Sequence, residues 1–317
     1  MTGQTKGILI ALAGFALYAA HDVLIKLLGG SYSPFQIVFF SVLFAFPLTS
    51  LMLIGEAEPA TLRPVHPWWM VLRTTAVVIA SGASFYAFSA LPLADTYAIL
   101  FSMPILVTLL AIPILGERIR LHRGLAILVG LIGVVIVLRP GDSALTLGHF
   151  AALVGASCSA LAATIVRKTG RNERAVTLLL YPTLATFVVM GAAMPVVYRP
   201  MERLHFAMSA TIAVLAFGGM LMMIMAYKRA EAALVAPMQY SQMLWAVFYG
   251  WVIFDEWPGP ATLLGVSLII ASGLYIVFRE SRAGTSRTTP VLETRSRPGT
   301  PGIPRTSLAL RLLGRMR

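Results

Sequence analysis

The sequence predicts an all-α membrane protein in which ten transmembrane helices form two inverted five-helix repeats. Three observations lead there. Of the 317 residues, 58% are hydrophobic and only 12% charged; that charged share is about half that of an ordinary soluble domain, too little polar surface to cover a water-facing fold. Apolar runs of roughly 20 residues, the length that crosses about 30 Å of hydrocarbon, recur from one end to the other. The third observation is an internal repeat at an offset of 139–141 residues.

The expected spans run 7–28, 34–54, 67–90, 93–115, 122–139, 146–168, 174–198, 206–229, 232–254 and 259–278. Between them lie SYSP (31–34), ALPLAD (90–95), RPGDS (139–143) and WPGP (257–260), clusters in which proline and glycine interrupt helices. The connections are short, so successive helices are expected to be antiparallel neighbours.

Lys6 followed by an apolar stretch also has the outline of a cleavable leader. The repeat argues for keeping that span. Gly7, Gly14 and Lys26 correspond to Gly148, Gly155 and Arg167 at an offset of 141, and Phe101, Ser102 and Glu117 correspond to Tyr240, Ser241 and Glu256 at 139. The two registers divide the chain into units 7–139 and 146–278 of five spans each. An odd number of spans per unit starts the second on the opposite side of the membrane, which makes the units inverted copies.

Orientation follows from the basic residues. With the N-terminus inside, 21 of the 25 Lys and Arg fall on the cytoplasmic side, and only Lys26, Arg139, Arg199 and Arg203 on the other. Both termini are therefore expected in the cytoplasm. The net charge of +12 reflects this topology, so no nucleic-acid partner is expected. From Ser281 to Arg317 the composition turns to Arg, Ser, Thr, Pro and Gly, which reads as a disordered basic cytoplasmic tail. Its last residues, LALRLLGRMR, suit either a short basic helix on anionic lipid or an unstructured end.

Cys158 is the single cysteine, so neither an intrachain disulfide nor a cysteine metal cage is expected. No metal or cofactor site is expected elsewhere. GxSxG, HExxH and Walker patterns are absent from the sequence, which argues against an intramembrane enzyme and against nucleotide hydrolysis.

Ionisable and amide groups inside apolar spans are the candidate site residues, because such groups face a bundle interior or a water-filled cavity. His21 and Asp22 lie deep in the first span, with Lys26 one turn beyond Asp22. The i, i+4 spacing allows a structural Asp22–Lys26 pair; the other reading makes His21 and Asp22 a polar cavity wall with Asp22 a coupling residue. Asp95, at the head of the fourth span, is either a favourable first-turn acid or a second coupling residue. Tyr97 and Ser102 lie deeper, beside Pro104. In the ninth span Gln239, Tyr240 and Gln242 gather after Pro237, and Gln239, Gln242 and Trp245 at i, i+3, i+6 would share a helix face. They read as substrate contacts or as polar glue between helices. Glu117 and Glu256 occupy equivalent repeat positions, which points to a structural task such as bonding loop amides. The Met-rich run 219–227 reads as packing, or as an adaptable pocket wall.

LGER at 115–118, the GLAILVGLIGVVIVLRP that follows at 124–140, and the second-half echo IFDEWPGPATLLGVSLIIASGLYIVF at 253–278 resemble the EamA repeat of the drug/metabolite transporter superfamily. The resemblance covers residues 7 to about 280. It implies a ten-helix carrier of the bacterial inner membrane, with a central cavity between the halves that opens to each side in turn. HDVLIKLLGGSYSPFQIVFF (21–40) and MQYSQMLWAVFYGWVIFDEWP (238–258) are similar to a branch of uptake carriers for S-adenosylmethionine or riboflavin, in which Asn often stands where this chain has His21. The aromatic and amide content around Tyr97, Gln239, Tyr240, Gln242 and Trp245 makes riboflavin the expected substrate. S-adenosylmethionine uptake and amino-acid or metabolite export are the alternatives within the class, and a non-transporting receptor or scaffold is the alternative outside it.

Overall fold

The computed structural model describes residues 3–53, 63–116, 121–138, 145–169, 173, 175–230 and 232–282. Glu117 and residues 283–317 of the tail lie outside the described residues. Among the described residues every regular element is helical: α1 (Gly3–Gly29), α2 (Pro34–Leu53), α3 (Pro67–Ala90), α4 (Leu93–Leu100), α5 (Met103–Leu115), α6 (Leu121–Leu138), α7 (Leu147–Thr169), α8 (Ala175–Val197), α9 (Arg203–Arg229), α10 (Ala232–Val235), a 3-10 turn (Ala236–Tyr240), α11 (Ser241–Phe254) and α12 (Pro260–Arg282). Among the described residues six stretches are long and apolar enough to cross a membrane: Gln4–Gly29, Pro67–Ala90, Leu93–Leu115, Leu147–Thr169, Thr177–Val197 and Arg203–Arg229. Pro34–Leu48, Gly124–Leu138 and Pro260–Tyr275 are shorter apolar helices. The expected span 232–254 is interrupted and meets neither description.

The repeat seen in the sequence reappears in the backbone. The α4–α5 helix is broken at Phe101 and Ser102, and the α10–α11 stretch by the 3-10 turn Ala236–Tyr240, whose last residue corresponds to Phe101 at an offset of 139. Pro104 opens α5 and Pro237 lies in the 3-10 turn; each removes a backbone N–H and favours a break where it stands. The left-handed residues match as well. Gly116 (φ 71°) caps α5 and Asp255 (φ 53°) caps α11. Glycine takes that conformation without a Cβ clash, and Asp is one of the few other residues that tolerates it.

Packing follows the same register. α1 lies against α9 and α3 against α7, while α2 pairs with α8 and α6 with α12. The four repeat glycines sit at the first two crossings. A Cβ on Gly7 would come within 2.5 Å of Ala230 Cβ and one on Gly14 within 3.1 Å of Met222 Cβ; on the other side Gly148 would meet Leu91 at 2.8 Å and Gly155 the Ser84 hydroxyl at 2.6 Å. Small residues there let helix backbones approach closely. Other contacts are not shared between the halves. α1 and α2 both touch α3, whereas the corresponding α7 and α8 make no comparable contact with α9.

The outer surface is largely apolar, and a set of polar side chains is buried within the apolar core. Leu125, Leu128, Ile132 and Val135 form an exposed stripe on α6, and Trp68 and Trp257 are exposed near helix ends, as aromatic residues are at a bilayer interface. His21, Asp22, Arg73, Ser102, Thr108 and Gln242 are buried.

Candidate functional site

A polar cluster forms where the two helix breaks face α1. Asp22 is 1% exposed. Its Oδ1 lies 2.7 Å from His21 Nδ1, and its Oδ2 accepts a hydrogen bond from the Tyr97 hydroxyl. Gln242 Nε2 in turn donates to the Tyr97 oxygen at 3.4 Å. Three helices, α1, α4 and α11, are thus joined through one carboxylate. Buried acids require such partners, since an unpaired charge in a low-dielectric interior is costly.

Lys26 does not serve as the partner of Asp22. Its ammonium reaches across to Glu256 Oε1 at 2.6 Å and the Leu91 carbonyl at 2.7 Å, over the ring of Phe254. The i, i+4 geometry permits the shorter pairing, but Glu256 is held in place because its Oε2 accepts the Leu93 backbone N–H at the head of α4, 3.3 Å away. Asp95 in the first turn of α4 accepts a hydrogen bond of 2.6 Å from Thr262 in α12. Gln36 exchanges two backbone hydrogen bonds with Arg199, at 2.7 and 2.9 Å, and Tyr32 pairs with His205. Apart from the Lys26–Leu91 bond, each of these contacts joins residues before 139 to residues after 146, and all lie toward the end where α1 stops. The halves are clasped there.

Inward from that clasp lies a pocket of about 90 Å³. His21 lines it, with Val38, Ser41, Val42 and Ala45 on one face of α2, Arg73, Val77, Ser81 and Phe85 on one face of α3, Pro182, Thr183 and Thr186 on α8, and Ile212, Ala213 and Ala216 on α9. Both halves contribute walls. The volume holds several waters and falls below the roughly 300 Å³ that encloses a drug-sized ligand, so a metabolite needs the walls to part.

The remaining expected site residues are placed differently. Tyr97 packs edge-on to Phe88, and Tyr240 sits between Phe101 and Gly273. Trp245 stacks on Tyr249. Gln239 is half-buried and Ser102 buried. None of these five lines the pocket. Arg73, 3% exposed, does line it. The orientation rule places it among the cytoplasmic-side charges; its position in the second turn of an apolar helix is the signal in the sequence that sets it apart.

A family model now decides the class. The EamA-like transporter family matches residues 5–139 and again 146–278. The chain belongs to that family. Among its relatives, the S-adenosylmethionine uptake transporter of Rickettsia bellii is 26% identical over 268 residues, covering 84% of this chain and 91% of that protein. The riboflavin transporter of Rhizobium johnstonii is 26% identical over 246 residues, covering 75% and 79%. The pseudopaline exporter of Pseudomonas aeruginosa is 24% identical over 269 residues, covering 84% and 94%. A solved crystal structure superposes with a TM-score of 0.58 at 18% identity, covering 85% of this chain and 96% of that one, a likeness of fold. This EamA-family chain is a membrane transporter.

Proposed function

We propose that the chain is a secondary carrier of the bacterial inner membrane that takes up S-adenosylmethionine by alternating access. Ten crossings, with α4–α5 and α10–α11 each forming one broken span, make two inverted five-helix halves with both termini in the cytoplasm. The observation that carries the reading is the pair of helix breaks at one repeat position, facing Asp22 through Tyr97 and Gln242. Carriers built from inverted repeats place substrate and coupling ions at such interruptions near the midplane. The unequal packing of equivalent helices, α1 on α3 but not α7 on α9, supports rocking. Two copies of one unit in two arrangements allow the opposite state to arise when the copies exchange them.

The substrate is argued from what surrounds the pocket. The aromatic residues that favoured riboflavin, Tyr97, Tyr240 and Trp245, pair with Phe88, Phe101 and Tyr249 and stand outside the pocket. A flat ring system therefore has little to stack on there. The pocket instead has His21, backed by Asp22, and Arg73 among its walls, which suits a solute with charges of both signs. Riboflavin is the second reading, favoured by the hydrogen-bonding run Asp22–Tyr97–Gln242.

Expression in a bacterium lacking riboflavin synthesis, scored for growth on low external riboflavin and for uptake of labelled S-adenosylmethionine in the same cells, tests this. Labelled uptake above the vector control without a growth advantage is expected. Growth without labelled uptake would replace the substrate with riboflavin, and neither would favour export.

A further inference from the structure

We propose that Arg73 is the anion anchor of this pocket and that the cargo bears a carboxylate; the inference rests on the carrier reading above and specifies its substrate class. Arg73 is 3% exposed, and among the described residues no carboxylate lies within 4.0 Å of it. One of its terminal nitrogens has a structural task. NH1 donates to the carbonyl of Leu178, which stands four residues before Pro182 and so lacks the helical N–H that would otherwise fill it. The Nε is buried and meets no acceptor. A guanidinium presents donors in a planar fork that matches a carboxylate, and here part of that fork is unfilled beside a cavity.

The repeat separates this residue from the scaffold. At offsets of 139–141 its counterparts are Ile212, Ala213 and Val214, of which Ile212 and Ala213 line the same pocket. The cation is therefore present in one copy of the unit only, where a framework residue would be expected in both. Buried cationic charge without a protein counter-charge is costly, and a cargo anion supplies the missing partner. Phe85, twelve residues or about 18 Å further along α3, lines the same pocket, and His21 packs edge-on to its ring at 6.1 Å.

The test uses the purified full chain in detergent and three probes: S-adenosylmethionine, its carboxyl methyl ester and riboflavin, with binding read by intrinsic tryptophan fluorescence. The variants are Arg73→Gln, which retains a donor for Leu178, and Arg73→Lys, which retains the charge; size-exclusion profiles check that both are folded. The wild type is expected to bind the acid about 30-fold or more tighter than the ester. Arg73→Gln should erase that preference by weakening the acid and not the ester, and Arg73→Lys should keep part of it. Equal affinity of the wild type for acid and ester overturns the proposal, as does an equal loss for both in Arg73→Gln. Riboflavin bound alone, and equally by Arg73→Gln, removes the anion site while the carrier reading stands. Binding of no probe removes both substrate readings.

Discussion

Asp22→Asn is expected to lower the initial rate of uptake by about 10- to 100-fold while membrane abundance changes by less than about two-fold. Asn fills the same volume and retains one acceptor oxygen, so helix packing around α1 is preserved. What disappears is the negative charge that His21 and the Tyr97 hydroxyl both address. A hydrogen bond to a charged group contributes about 1.5–3 kcal/mol, and losing one such term from the working conformations gives the stated factor. The added amide N–H must also find an acceptor in a site where Asp22 is 1% exposed. Rates measured in cells, normalised to a fluorescent C-terminal tag, separate the outcomes. If rate and abundance fall together, the cluster is a helix-joining element and has no part in transport.

The second large effect is expected at the clasp. Lys26→Glu places a carboxylate against Glu256 and the Leu91 carbonyl, groups that now accept from the Lys26 ammonium at 2.6 and 2.7 Å. Uptake should fall at least about 10-fold, since the side chains are only 11% and 28% exposed and water screens them poorly. Adding Glu256→Lys restores the pair but not its surroundings: the new ammonium would face the Leu93 N–H at the head of α4, where a carboxylate belongs. The predicted order of rates is Lys26→Glu lowest, the double reversal intermediate and wild type highest. A double reversal no better than the single would show that the two residues do not act as a pair.

Much of this architecture was legible in the chain. Apolar length marks where helices lie, and two glycines per repeat at one offset lie where they cross: a Cβ would come within 2.5 Å of Ala230 at Gly7 and within 2.8 Å of Leu91 at Gly148. The correspondence of LGE at 115–117 with FDE at 254–256 likewise anticipates the left-handed caps at Gly116 and Asp255.

Side-chain partners were less legible. The i, i+4 rule pairs Asp22 with Lys26, yet it knows nothing of Glu256, 230 residues away and presented by another helix end. The shared face expected for Gln239, Gln242 and Trp245 assumes one continuous α-helix. Residues 236–240 are instead wound as a 3-10 turn, with three residues per turn in place of 3.6, which alters the direction of Gln239 relative to Gln242. Arg73 was obscured for a different reason. A basic residue near a span end obeys the orientation rule whether it meets lipid headgroups or a cavity, and only the fold of α2, α8 and α9 around it distinguishes the two.

The central claim is that two related halves enclose a wet chamber reached from one side at a time. Single cysteines placed in a Cys158→Ser background at Ser41, Thr186 and Ala213 inside the pocket, and at Leu128 and Val188 on the exposed apolar surface, can be challenged with a charged, membrane-impermeant thiol reagent in right-side-out and inside-out vesicles. The account predicts modification of the three pocket positions, from one face at a time and slowed by cargo, with Leu128 and Val188 silent. Reaction at Leu128 and Val188 with the pocket positions silent would contradict it.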